Sequence, residues 1–330
     1  MDALELHRSL VVIDGHCDTA CELVEGPATR DFLARGDAGH VDLPRLREGG
    51  VSCQFMALFT DDAHVSAARS RTDALLEALE SVFARAEGFR LALSARDVLR
   101  AKAEGACAAL LAIEGGEAIG EDLGALRAYY GRGVRLMGLT WNRRNALGRG
   151  AGVGDPAVDG KGGLTDFGRR VVAEMEELGM IIDASHLSDE ALDDLLDLSS
   201  SPIVASHSNS RELCPNRRNL RDAQVERIAA TGGLVAATFA GPFVDPEPAK
   251  VNLGRFLDHV DRLVAVAGPE HVGIGSDFDG FSRDWGVVIS DCSRLPDLTA
   301  GLLERGYDEE AVRMIMGGSW LRVIGEVVGG

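Results

Sequence analysis

The chain has 330 residues, a net charge of −18 and 45% hydrophobic residues. This composition excludes a disordered chain, a collagen and a coiled coil. The acidic excess argues against a nucleic-acid partner, because neutralising phosphates requires a basic face. The length allows two domains or one large α/β barrel.

The opening MDALELHRSL carries acids and a His without a long apolar run, which is not the pattern of a signal peptide. No stretch reaches the roughly 18 apolar residues of a membrane span. A cytoplasmic location with no membrane partner is therefore expected. Cysteines at 17, 21, 53, 107, 214 and 292 form no C-x-x-C pair and read as buried free thiols.

Apolar runs of strand length recur along the chain. They are Val11–His16, Val51–Phe59, Cys107–Glu114, Val134–Trp141, Met180–His186, Pro202–His207, Gly233–Phe239 and Val272–Asp277. Near-continuous apolarity marks strands buried on both faces. Helical patterns fall between most of them, over Ala67–Glu87, Asp166–Leu178, Asp189–Leu198, Asp222–Ala230 and Leu253–Ala267. Thr165 and Ser188 are expected N-caps, and Gly179 a stop. Eight strands alternating with helices predict one (β/α)8 TIM-type barrel over residues 1–330, with a doubly wound sheet as the alternative. The tail after Leu295 reads as roughly two helices packed on the barrel. The stretch from Asn142 to Gly163 is long, polar and Gly-rich, as functional loops are. Its Gly160-Lys161-Gly162 lacks the spacing and the Ser/Thr of a phosphate loop.

Metal-type side chains gather at the C-terminal ends of these strands, where barrel enzymes keep their sites. His16 and Asp18 form an H-x-D, pointing to one side with Cys17 turned into packing. Glu114, His186, His207 and Asp277 end four further strands. The remaining histidines (7, 40, 64, 259 and 271) read as ordinary structural residues. Buried carboxylates need a partner, and a cation serves. Six ligands exceed what one catalytic zinc takes. Two divalent ions, three carboxylates and a bridging hydroxide balance in charge. Lys102, Lys161 and Lys250 sit at no strand end, which leaves Glu114 rather than a carbamylated lysine as the bridge. Mixed imidazole and carboxylate ligands favour zinc.

The chain resembles the membrane (renal-type) dipeptidases, zinc metallopeptidases of the amidohydrolase superfamily. The resemblance rests on Asp14-Gly15-His16-Cys17-Asp18, Glu114-Gly115-Gly116, Ile182-Asp183-Ala184-Ser185-His186, Ser206-His207-Ser208, Arg217-Arg218-Asn219 and the run Gly273–Gly280 (GIGSDFDG), in that order. It implies a binuclear centre at the C-terminal face. His16, Asp18 and Asp277 would bind one zinc, His186 and His207 the other, with Glu114 between them. It implies that Arg218 binds the substrate's terminal carboxylate, which suits a planar guanidinium. It also implies a homodimer and acceptance of a D-residue at the C-terminal position.

The expected reaction is hydrolysis of a dipeptide, L-Xaa-D-Xaa included, by a metal-bound hydroxide, with Asp277 moving the proton. Another hydrolase of the superfamily, an N-acyl-amino-acid amidase or a lactonase, is the alternative. Asp279, past the strand end, reads as a loop residue of small effect. A departure from the membrane-bound members is expected in three respects: no signal peptide or hydrophobic anchor tail is read, and the cysteines give no reason to expect interchain disulfides. The chain also places Trp141 after Leu139-Thr140, where they have a substrate-contacting His. Trp141 is expected to wall the pocket, with the oxyanion held mainly by zinc and helped by Asn142, Arg143 or Arg144.

Overall fold

The structure is a computed structural model that describes residues 2–24, 30–152 and 162–329. The Gly160-Lys161 pair and most of the second half of the 142–163 loop lie outside those residues. Among the described residues there are nine parallel strands: β1 Val12–Asp14, β2 Val51–Phe59, β3 Phe89–Leu91, β4 Cys107–Glu114, β5 Val134–Gly138, β6 Ile181–Asp183, β7 Ile203–Ala205, β8 Leu234–Ala237 and β9 Val272–Ile274. Eight of them close a ring in the order β1-β2-β4-β5-β6-β7-β8-β9, and β9 returns to β1. The pair β2–β4 is the longest seam, from Cys53 opposite Ala108 to Phe59 opposite Glu114. The short β3 only extends the sheet along the start of β4. The expected (β/α)8 barrel is thus the fold.

Strand alternation sorts the core into two layers. Along β4, Ala108, Leu110 and Ala112 face the barrel interior with Ile13, Phe55, Leu136, Ile181, Val204 and Leu234. Ala109, Leu111 and Ile113 face the jacket of helices instead. Glu114 continues the inward row, so the strand's own parity delivers a carboxylate to the top of the barrel.

The helices follow their sequence signals. Asp166–Leu178 starts on Thr165, whose side chain accepts from the Gly168 N–H, and stops at Gly179 with φ 70°. Asp189–Leu198 starts on Ser188, which accepts from Ala191 N–H. The tail differs from expectation. It forms three helices, Leu295–Glu304, Glu309–Arg313 and Ser319–Val327, joined through a π turn over Met314–Gly318. The last of these places Trp320 among the inward-facing residues, fully buried. Its indole N–H donates to Ile274 O at 3.0 Å, and its ring lies 4.7 Å from that of Phe55. A Cβ on Gly15 or Gly273 would collide with this indole, so the two glycines make room for it.

Trp320 therefore fills the barrel beneath the strand ends. Trp320→Ala should cost about 3–5 kcal/mol, the range for deleting a large buried aromatic. Urea denaturation of the two proteins checks this; a loss under about 1 kcal/mol would show that the interior closes without the plug.

Candidate metal centre

The six residues singled out in the sequence do come together, just above the strands that carry them. His16 lies two residues past β1, Glu114 ends β4, His186 lies three past β6, His207 two past β7 and Asp277 three past β9. Their ligand atoms form three overlapping groups: His16, Asp18 and Glu114; Glu114, His186 and His207; and His16, His207 and Asp277. All six are buried. Cys17 turns away as expected and meets the Met56 sulfur at 3.6 Å.

Glu114 divides the cluster. Its Oε2 lies 3.4 Å from His16 Nε2, while its Oε1 lies 2.9 Å from His186 Nε2 and 3.7 Å from His207 Nε2. On the first side His16 Nε2 is also 3.6 Å from Asp18 Oδ2 and 4.0 Å from Asp277 Oδ1. Two of the six have left-handed backbones, His186 at φ 68° and Asp277 at φ 64°. For non-glycine residues this conformation costs free energy and persists only where the surroundings impose it.

Whether a cation fits can be read from the protons. His186 Nδ1 lies 2.8 Å from Asn142 Oδ1, an acceptor, so it donates. His207 Nδ1 lies 2.8 Å from Ser206 Oγ. That hydroxyl donates its single proton to Asp183 Oδ2 at 2.5 Å, so it can only accept from the imidazole. Burial holds both imidazoles well below their ordinary pKa, hence neutral. Both Nε2 atoms then carry lone pairs. They face each other at 2.8 Å with Glu114 Oε1 beside them and no proton between them. On the other side, His16 Nε2 and Asp18 Oδ1 are buried without hydrogen-bond partners. Burial raises Glu114 to about 7, with the Asp18 charge adding to it, and the same causes push Asp277 well up. Converging lone pairs and crowded carboxylates are what divalent ions relieve. Lys102 and Lys250 point to Arg8 O and Glu247 instead, and Lys161 lies outside the described residues.

A cavity of ≈ 710 Å³ opens above the cluster, walled in part by Phe59, Trp141, Asn142, Phe243 and Trp285. Trp141 is half-buried, 5.4 Å from Phe59 and 5.8 Å from His186 between ring centroids. Arg218 is 3% exposed and does not itself line this cavity. It donates to His207 O at 3.1 Å and Ser208 Oγ at 3.3 Å, and its guanidinium carbon lies 5.3 Å from the centre of the Phe243 ring. Its Nε has no partner, and burial lowers its pKa to about 10 despite the nearby carboxylates. Two of the expected carbonyl donors are committed elsewhere. Asn142 holds His186, and Arg143 binds Glu117 at 3.1 Å, Asp62 at 2.7 Å and Thr60 O.

Two of the neighbouring strand pairs, β6–β7 and β1–β9, also carry a device that the ligand pattern did not reveal. Asp183 at the end of β6 accepts the N–H and O–H of Ser206, at 2.9 and 2.5 Å. Asp14 at the end of β1 does the same for Ser276, at 2.8 and 2.6 Å. Each Ser directly precedes a cluster residue. The sequence signal was available, since an Asp ends each strand inside the motifs quoted above.

The chain is a member of the membrane dipeptidase family, peptidase family M19. The family's model matches residues 1–328. The chain is 34% identical over 304 residues to dipeptidase tcpJ of Claviceps purpurea, covering 88% of this chain and 70% of that protein. It is similar to the crystal structure of the dipeptidase AC, a metallopeptidase of family M19, with TM-score 0.89, 34% identity and coverage of 98% and 100% of the two chains. It is also similar to a metallopeptidase from Rhodobacter sphaeroides liganded with a phosphinate mimic of the dipeptide L-Ala-D-Ala. There the TM-score is 0.88 and the identity 31%, over 96% and 99% of the chains. The chain is therefore a hydrolase of a metal-dependent dipeptidase family. Among the described residues no helix is long and apolar enough to cross a membrane.

Asp279 is a loop residue, as expected, but a buried one with several partners. It lies past the strand end, also at positive φ, yet its side chain is 1% exposed. Thr19 Oγ1 donates to it at 2.7 Å, the His40 N–H at 2.5 Å and Arg30 Nη2 at 3.1 Å. Burial opposes its ionisation, but His40, Arg30 and Thr19 outweigh it and hold the carboxyl at about 2. A depressed folded pKa contributes stability that is present above the ordinary value of 3.8 and is lost as pH falls through about 2. At 1.36 kcal/mol per pKa unit this is worth about 2 kcal/mol. The stability advantage of metal-free wild type over Asp279→Asn should shrink by about that amount between about pH 5 and pH 2. Urea denaturation along that range checks it, and a constant difference would refute the assignment.

Proposed function

We propose that the chain is a dipeptidase holding two zinc ions, with all 330 residues forming one catalytic unit. The observation that carries this reading is Glu114, whose two oxygens face separate ligand groups. His16, Asp18 and Asp277 would hold one ion, His186 and His207 the other, and Glu114 both. When bound, the ions supply Lewis-acid polarisation of the scissile carbonyl and acidify the attacking water. The rest falls to the chain. Asp277, at the cavity surface, accepts the water's proton and passes it to the leaving amine. Arg218, whose buried Nε has no other partner, binds the terminal carboxylate, which limits substrates to those with a free carboxylate, L-Xaa-D-Xaa dipeptides included. Trp141 packs against the substrate as part of the wall.

A panel of L-Xaa-L-Xaa and L-Xaa-D-Xaa dipeptides offered to zinc-loaded protein tests the reading. Turnover confined to N-acyl-amino acids or lactones would replace it with the other hydrolase class. Metal analysis should find close to two zinc equivalents, and Glu114→Ala should lose much of both; a variant that keeps two ions would rule out the bridge.

Arg218→Met should weaken transition-state binding of a free-carboxylate dipeptide by about 2–5 kcal/mol, the range for removing one partner of a desolvated charged pair. The C-terminal amide should lose far less. Equal losses in kcat/KM for both substrates would show that Arg218 does not bind the carboxylate.

Trp141→Phe keeps the bulk and removes the indole N–H. It should change kcat less than tenfold, whereas losing a donor to the developing oxyanion typically costs about 100- to 1000-fold. A loss of that size with zinc content intact would give the indole N–H a catalytic part.

A further inference from the structure

The Asp–Ser pair behind His207 does more than join two strands. Asp183 Oδ1 accepts the N–H groups of Ser185 and Ser206, each at 2.9 Å, so both of those protons have fixed places. Ser206 Oγ has one proton and three neighbours: Asp183 Oδ2 at 2.5 Å, His207 Nδ1 at 2.8 Å and Ser185 Oγ at 3.3 Å. A carboxylate oxygen only accepts, so it takes the hydroxyl proton. The imidazole must then donate from Nδ1. We propose that Asp183, acting through Ser206, is a positioning residue that sets the tautomer of His207 and so determines whether Nε2 can bind a cation. The twin pair Asp14–Ser276 has the same geometry but no such wiring. Ser276 Oγ meets Asp14 Oδ2, His16 O and Phe278 N–H, and no imidazole. One motif is thus used twice, and only one copy reaches the protons of a ligand.

The inference makes an ordering that a packing role would not. Asp183→Asn is isosteric. Its oxygen can keep the two backbone N–H groups, but its amide now donates to Ser206 Oγ. The hydroxyl proton is turned onto His207 Nδ1, and the imidazole proton moves to Nε2, where it blocks a cation. An isosteric change that alters only the tautomer can be far more damaging than its size implies. Ser206→Ala removes the relay without reversing it, so it should do less harm. Losing such an outer partner typically weakens metal binding by about 10- to 100-fold.

The metal-affinity part rests on the reading of His207 as a ligand; the tautomer part rests on the hydrogen bonds alone. The experiment is therefore double. Nitrogen-15 NMR of the metal-free protein labelled at histidine should show His207 protonated on Nδ1 in wild type and in Asp14→Asn, and on Nε2 in Asp183→Asn. Competition with a zinc chelator should rank affinity as wild type, then Ser206→Ala about 10- to 100-fold weaker at one ion, then Asp183→Asn weaker still. An Nδ1 proton retained in Asp183→Asn, or Ser206→Ala as damaging as Asp183→Asn, would overturn the inference. Should Asp183→Asn fail to fold, Ser206→Ala decides. One ion weakened and the other retained supports the relay, and both unchanged or both equally weakened refutes it. Wild-type protein that binds no zinc would instead defeat the proposed function and leave the tautomer to be settled by the spectra.

Discussion

Three carboxylates and three imidazoles converge at one point of a chain already carrying a charge of −18. Groups of this kind do not gather spontaneously. Their lone pairs repel, burial penalises their charges, and two sit on strained backbones. The surrounding structure holds them by three separate means. Barrel closure fixes the strand ends, with Trp320 filling the space beneath them. The Asp14–Ser276 and Asp183–Ser206 pairs tie β1 to β9 and β6 to β7 at the level where the ligands leave the strands. Asn142, from the loop after β5, fixes the ring of His186. Each acts on backbone or on the far side of a ring, which leaves the inward atoms free for a cation.

This division also explains what could be seen in the sequence. The eight barrel strands were legible because both of their faces are buried, which writes a continuous apolar run. β3 was not, because the exposed Arg90 in its middle breaks the apolar run. The six cluster residues were legible because their types are rare at strand ends and recur at five of them. Asp183 and Asp14 were harder to see. Their work is done through a Ser just past the end of a neighbouring strand, 23 and 262 residues away, and no local pattern records that pairing. The partners of Asp279 were hidden for the same reason. It looks like a loop acid in the run from Ser276 to Gly280, and its partners Thr19, Arg30 and His40 come from the other end of the chain. His40, read as an ordinary histidine, is ordinary in that it binds no cluster residue, but it anchors the loop that carries Asp277, its Nδ1 accepting the Asp279 N–H at 3.0 Å.

Trp141 is held from three sides. Arg143 lies with its guanidinium carbon 5.0 Å from the indole centre. The same guanidinium is tied to Glu117, whose burial raises its pKa and makes a cationic partner valuable. Phe59 takes the other contact and His186 a third. A ring held by an anchored cation and an aromatic neighbour is a rigid surface, and a cation near an aromatic face is worth about 0.5–2 kcal/mol, depending on its desolvation. Asn142 is spent on His186 and Arg143 on the ion pair, so neither is placed to approach a substrate carbonyl. In the loop after β5 the Trp packs beside His186, and the Asn orients that ring.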